Sequence, residues 1–339
     1  MKIYMVVAKH IVFISVIYSF VLLEANFSQN VLHKTQEKMC NNDELEKSVK
    51  ESEEIGELNK WANNLPILKQ QDLDIVNHMK DLVHQQENNP QLSDDLVIDH
   101  FQRIMAFPLQ TACSVGKWVA FKRWNYGCGS TDGERYLCMD NFYKDIKAKN
   151  CTIYSFGISD DYRFEKQMGS IGCTVHAFDP TIDIPSSPAK KVYFKKLGLA
   201  HFNGEMKMTI THENNKLSEP LPVTTLKDAI KANGDLDKEI TYLKVDIESS
   251  EIKSIPEWIE SGVLQNIRQI GIELHTGKIF FDKPNRAKAV KSLLKSISKL
   301  YDLGFRHISY DPNTCVGKSQ DHAGQYYTFV DIVLYKPYA

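Results

Sequence analysis

The chain has 339 residues, 42% hydrophobic and 25% charged, enough to bury one substantial core and carry an appendage. Its formal charge of −2 offers no basic surface to a phosphate backbone, so nucleic acid is excluded as an expected partner.

Residues 1–25 place Lys2, Lys9 and His10 ahead of a mainly apolar run from Ile11 to Leu23. This is the layout of a signal-anchor whose C-terminal side faces the lumen of the ER or Golgi. Cleavage near Ala25, which would release a secreted protein, needs the bulky Leu23 where a small residue is usual. Both alternatives lead into the secretory pathway, and the first adds contact with a membrane. Residues 26–90 turn to Glu, Lys, Gln and Asn with scattered leucines. That composition supports solvated helices but no core of its own, as in a polar stem or a disordered tail.

Seven cysteines suit an oxidising lumen: Cys40 in the stem, then Cys113, Cys128, Cys138, Cys151, Cys173 and Cys315. With no CxxC or HExxH, structural zinc has no support and no metal ligand set emerges. The six later cysteines read as disulfide partners with about 15 connectivities open. Cys40 is either a free thiol or the link of a disulfide-bonded dimer. Two sequons, Asn26-Phe-Ser and Asn150-Cys-Thr, are present.

Residues 91–150 are expected to be a helical, cysteine-containing lead-in, and 151–339 the main domain. There strand-length apolar runs alternate with helical patterns. TIYSF is followed by a helix at 161–171, then CTVHAFD and VYFKKLGLA. A helix at 225–232 precedes YLKVDIE, a helix at 250–263 precedes IRQIGIELH, and an amphipathic helix spans 286–303. Alternation of this kind specifies α/β architecture, a mostly parallel sheet covered by helices. The last two strands, FRHISYD and YTFVDIVLYK, are joined by a loop too short for a crossover helix, so they pair antiparallel. One reversed strand near the C-terminal sheet edge matches the seven-stranded sheet of S-adenosylmethionine-dependent methyltransferases.

Ligands of open α/β sheets bind beyond the carboxyl ends of the strands. The first strand runs into Ser155, Gly157, Ile158 and Asp160; the second ends at Asp179. The later strands end at Asp246 with Glu248, and at Glu273 with His275. Asp179 lies about 22 residues past Gly157, the spacing at which an acid meets ribose hydroxyls in nucleotide-binding units. Each such acid alone is equally a helix cap or solvated turn residue; together they outline a nucleotide-type rim.

YLKVDIESSEIKSIPEWIESGVL with the preceding VTTLKDAI resembles the FkbM-type methyltransferases. YSFGISDDYRFE, CTVHAFDP and IGIELH are similar to the animal methyltransferase-like protein 24 group. The resemblance covers roughly 132–335 and implies a Rossmann-like domain binding S-adenosyl-L-methionine. It implies Gly157 in the loop at the methionine side, Asp179 on the ribose and Asp246 near the sulfonium or the acceptor. Ser159 stands where a second glycine is common. Ser249 replaces the usual glycine after D-x-E and is expected to help start the next helix as an N-cap.

Methyl transfer needs an in-line acceptor and, for a high-pKa acceptor, a base. His275 is the first candidate, Glu273 on the same strand face its orienting partner, and Asp246 or Glu248 the substitutes. A structural hydrogen bond is the alternative role for His275, and His176, mid-strand, reads as core. The acceptor is unidentified: a glycan or small-molecule hydroxyl, or a secreted protein. Two other readings stay open. Asp235-Leu-Asp237 has the D-x-D form of metal-dependent glycosyltransferases, and a methyltransferase fold without catalysis could serve binding alone.

Overall fold

The computed structural model describes residues 113, 115–120, 134–140, 142–210, 216–277, 286–313, 318–321, 324–327 and 329–336, with isolated helical positions between 77 and 105. All belong to the unit Gly56–Ala339. The apolar run Ile11–Leu23, most of the stem with Cys40, and Cys128 and Cys315 lie outside the described residues. Among the described residues no helix is long and apolar enough to cross a membrane.

From Gly116 onward the described elements are a hairpin, β1 (Gly116–Val119) and β2 (Arg135–Cys138), then α1 (Phe142–Lys147), β3 (Thr152–Phe156), α2 (Arg163–Ile171), β4 (Thr174–Phe178) and β5 (Val192–Lys195). Five short strands follow: β6 (Gly198–Leu199), β7 (Gly204–Met206), β8 (Thr209–Ile210), β9 (Lys216–Leu217) and β10 (Leu221–Thr224). The remainder is α3 (Leu226–Ala232), β11 (Tyr242–Val245), α4 (Glu251–Ser261), β12 (Gln269–His275), α5 (Arg286–Asp302), β13 (Arg306–Pro312), β14 (Lys318–Asp321), β15 (Gly324–Tyr327) and β16 (Phe329–Tyr335).

The architecture is α/β, built on a seven-stranded sheet ordered β13-β16-β12-β11-β3-β4-β5. β3, β4, β5, β11 and β12 pair in parallel, while β16 runs antiparallel to both β12 and β13. The reversed strand is therefore inserted one place in from the edge. All of β11 and β12 is buried, which is why these strands read as near-continuous apolar runs. Alternate side chains feed two apolar layers. Tyr154, Phe156, Leu243 and Val245 pack with Trp258 of α4 and Leu293 of α5. Ile153, Val175, Ala177 and Tyr242 pack with Phe164 and Met168 of α2.

Helix boundaries follow local chemistry. The hydroxyl of Thr225 accepts from the Asp228 N–H at 3.2 Å and starts α3. Gly262, left-handed at φ 73°, ends α4. The lead-in departs from its helical expectation, because it also contributes the β1–β2 hairpin. Gln269 docks that hairpin on the sheet: its side chain accepts from Cys138 N at 2.9 Å and donates to Cys138 O at 2.8 Å. Disulfides join Cys113 to Cys138 and Cys151 to Cys173. VYFKKLGLA is two strands, β5 and β6, broken at Lys196 and Leu197.

Candidate functional site

Sequence order reverses direction in the sheet between β3 and β11, the kind of switch point beside which open sheets bind ligands. Gly157 follows β3 with φ 73°, and a Cβ on it would lie 1.6 Å from the Asp246 carbonyl oxygen. Only glycine fits that close approach in that conformation. The loop is held from both sides. Gly157 N–H donates to Phe178 O at 2.9 Å, and the buried Lys244 ammonium donates to Gly157 O at 2.8 Å.

Asp179, at the end of β4 and 5% exposed, ties two loops together. Its Oδ2 accepts from Ser159 N–H at 2.9 Å; its Oδ1 accepts from the Thr181 N–H at 2.8 Å and hydroxyl at 2.6 Å. Beside it opens a cavity of about 520 Å³ whose lining includes Gly157, Asp179, Leu199, Met208, Asp246 and Glu248. The volume falls within the range of small-molecule sites, and an apolar wall with a few acids is their usual make-up.

Behind Asp246 lies a charged layer. Arg135, 2% exposed on β2, reaches Asp246 Oδ2 at 3.0 Å, Asp331 Oδ1 at 3.3 Å and Glu273 Oε2 at 3.6 Å. His275 shares Nδ1 with Glu251 Oε1 at 3.0 Å, and Glu251 Oε1 also accepts from Ile247 N–H at 2.8 Å. The other ring nitrogen, Nε2, faces Glu248 Oε2 at 3.7 Å and Asp246 Oδ1 at 3.8 Å.

Burial opposes a charge on His275, but the Glu251 hydrogen bond and the Glu251, Glu273 and Asp246 carboxylates outweigh it and lift the pKa to about 11. With no cation beside it, the ring is driven toward the imidazolium form. The bond to Glu251 is the structural role given as the alternative for His275, and the raised pKa weakens its use as a general base. Burial, with Asp246 and Asp331 beside it, holds Glu273 well above the carboxylate range. Asp246 is held low: burial works against its charge, but Lys244, Arg135 and His275 overcome it.

Of the residues expected at the rim, Gly157, Asp179, Asp246 and Glu248 share the cavity. Glu273 and His275 stand behind Asp246, off the lining. Ser155 is fully buried and donates to Glu165 Oε1 at 2.5 Å; Ile158 belongs to the core; Asp160 is exposed and outside the cavity lining. Their adjacency to Gly157 in sequence did not carry them into the cavity, because successive side chains point to different sides.

Both positions lacking an expected glycine are left-handed, Ser159 at φ 48° and Ser249 at φ 79°, and Glu248 between strand and helix has φ 55°. Ser249 does not cap the next helix. Ser250 holds the N-cap position without a side-chain bond, and the Glu251 carboxylate reaches back to Ile247 N–H instead.

In the D-x-D segment, Asp235 is 4% exposed and engaged by Tyr154 OH at 2.9 Å, His176 Nε2 at 3.2 Å and Lys238 Nζ at 2.6 Å. Asp237 is exposed to solvent, so the two carboxylates do not face a common ligand. His176, read as core, is Asp235's partner.

Sequence reading passed over Arg135, Glu165, Lys244 and Glu251. Lys244 offered a signal: a lysine amid the apolar YLKVDIE run implies a buried partner. Arg135 offered none, being 111 positions from the Asp246 it pairs with.

A family model described as a methyltransferase domain matches residues 119–313, more than half of the chain. "Probable methyltransferase-like protein 24" of Rattus norvegicus is 30% identical over 143 residues, 41% of this chain and 38% of that protein. The Homo sapiens protein of the same name is 30% identical over 144 residues, 41% of this chain and 37% of its own length. The matched region thus spans under two-fifths of these curated relatives. A solved DUF574-family protein from Streptomyces avermitilis aligns over 58% of this chain and 79% of its own, at 11% identity and a TM-score of 0.30.

Proposed function

The chain belongs to the methyltransferase-domain family, and we propose that it is an S-adenosylmethionine-dependent enzyme that methylates an acceptor hydroxyl in the secretory pathway. The observation that carries this reading is the cavity at the sheet's switch point, which gathers Gly157, Asp179 and Asp246 from the ends of three neighbouring parallel strands.

The residues present fit such a donor. Asp179 Oδ1 accepts from both the Thr181 N–H and the Thr181 hydroxyl, while Oδ2, accepting from Ser159 N–H, retains a further lone pair for a ribose hydroxyl. Leu199, Phe202 and Met208 supply an apolar wall suited to a flat base. The bound donor would supply a methyl group made electrophilic by its sulfonium. Asp246, ionised and backed by Arg135, faces the same space and favours positive charge there. Glu248, exposed on the lining, is the carboxylate placed to take the acceptor's proton. Two disulfides and the apolar N-terminal run support the secretory assignment.

A thermal-shift titration with S-adenosylhomocysteine tests the reading. Wild type should gain stability with ligand, Asp179→Ala should lose most of that gain, and Asp160→Ala, off the cavity, should keep it. Equal gains in all three proteins would sink the ribose assignment. A folded wild type with no gain would leave a methyltransferase fold used for binding alone.

A further inference from the structure

Asp246, at the end of β11, and Glu273 and His275, on one face of β12, each offer a ligating atom, and these three atoms lie within 4.8 Å of one another. No stretch of sequence announces the set, because the first member is separated from the others by a whole helix. His275 Nε2 stands 3.8 Å from Asp246 Oδ1 and 3.7 Å from Glu248 Oε2. Those separations are too long for hydrogen bonds. They fall between the roughly 3.0–3.4 Å of neighbouring ligand atoms and the roughly 4.2 Å of opposite ones around a cation at about 2.1 Å, so a common ion would draw them slightly together.

A second observation comes from outside the set. Glu251, fully buried on α4, bonds the opposite ring nitrogen at 3.0 Å, and its Oε2 is buried without a hydrogen-bond partner. A carboxylate on one imidazole nitrogen, with the other nitrogen turned toward acids, is how proteins orient a metal-binding histidine. The local charge agrees. Asp246, Glu248, Glu251, Glu273 and Asp331 surround His275 and Arg135, with Lys244 committed to the Gly157 carbonyl. Arg135 approaches Asp246 through Oδ2, leaving Oδ1 on the side that His275 faces.

We infer that Asp246, Glu273 and His275, assisted by Glu248, form a binding site for one divalent cation at the edge of the cavity. On binding, the ion displaces to solvent the protons that His275 Nε2 and Glu273 hold without it. Two or three carboxylate oxygens and one imidazole nitrogen suit a cation that accepts mixed N and O ligands, such as Mn²⁺. The site stands independently of methyl transfer. Its use there, presenting an acceptor oxygen beside the cavity and easing loss of its proton, rests on the methyltransferase reading.

Mn²⁺ alone, added to the purified chain without any methyl donor, is the probe, read by the fall in free-ion EPR signal. The expected result is saturable binding of one ion per chain, weakened at least tenfold by Asp246→Asn and by Glu273→Gln and unchanged by Asp237→Asn. Far-UV circular dichroism reports whether each variant is folded. Should Glu273→Gln misfold, Asp246→Asn at the cavity edge decides, and in unaltered protein Mn²⁺ must also broaden the imidazole resonances of His275. Absence of saturable binding, unbroadened His275 resonances, or equal affinity in folded variants would overturn the inference. Mn²⁺ binding without a homocysteine-ligand shift would sink methyl transfer and keep the cation site; the reverse pattern would do the opposite.

Discussion

The Asp246 carbonyl oxygen occupies the space beside Gly157 so closely that a Cβ there would lie 1.6 Å away. The two loops that frame the cavity are thus fitted backbone to backbone, and the fit depends on a hydrogen atom at one Cα. Gly157→Ala must displace Asp246 or change a φ of 73°, which a side chain tolerates poorly. We expect a loss of about 3 kcal/mol or more in urea unfolding, and no S-adenosylhomocysteine shift even where the variant is folded. A variant of wild-type stability and ligand response would show that the loops separate freely.

Ser159 and Ser249 are predicted to behave in the opposite sense. Both are left-handed, at φ 48° and 79°, a conformation that costs a non-glycine residue about 1 kcal/mol. The bond from position 159 to Asp179 uses the backbone N–H, so glycine keeps it. Ser159→Gly and Ser249→Gly should each be neutral to stabilising by about 0.5 kcal/mol, after the greater freedom of glycine in the unfolded chain is counted. Differential scanning calorimetry would show a clear drop in Tm if either hydroxyl instead held its loop.

Arg135 is the guanidinium on which three carboxylates converge. Removing one partner of a buried ionic group leaves the others uncompensated and costs about 3–5 kcal/mol. Arg135→Ala should lose stability on that scale in chemical denaturation. Arg135→Lys should recover part of it, since the charge returns without the planar fork. Similar stability for wild type and Arg135→Ala would mean that the carboxylates take up protons instead.

His307 sets a pH dependence. It is fully buried on β13; Nε2–H donates to Ser309 O at 2.6 Å, and Nδ1 has no hydrogen-bond partner. Burial lowers its pKa to about 4, against a partial opposing pull from the Ser309 carbonyl. Unfolding frees a ring with a pKa near 6.5, so between about pH 4 and 6.5 the unfolded chain binds the extra proton. The contribution, about 3 kcal/mol, is fully present above pH 6.5 and is lost as pH falls toward 4. Urea midpoints should therefore fall across that window in wild type and fall less in His307→Gln. Parallel profiles would remove His307 as the cause.

How far the site was legible follows from what each residue's position depends on. Gly157, Asp179, Asp246 and Glu248 could be placed because they end parallel strands, and strand ends in such sheets meet at one rim. Ser155, Ile158 and Asp160 followed the same segment but went to a buried hydrogen bond, the core and solvent. The cavity wall formed by Leu199–Phe202, Met206–Met208 and Leu217 was not legible. Its strands are two or three residues long, too short for any period to show, and they are placed by pairing with β10 and with each other.

The amino-acid sequence by itself determined the α/β alternation and the antiparallel closing pair, because period, strand length and loop length act locally. Even so, only the folded sheet put β16 between β12 and β13, since either order satisfies the same short loop. Tertiary structure also decided which charges meet. Arg135 on a hairpin, Glu251 on a helix and Asp246, Glu273 and Asp331 on three strands converge on His275 or on one another. Coulomb coupling depends on distance through space, and separation along the chain carries almost no information about it.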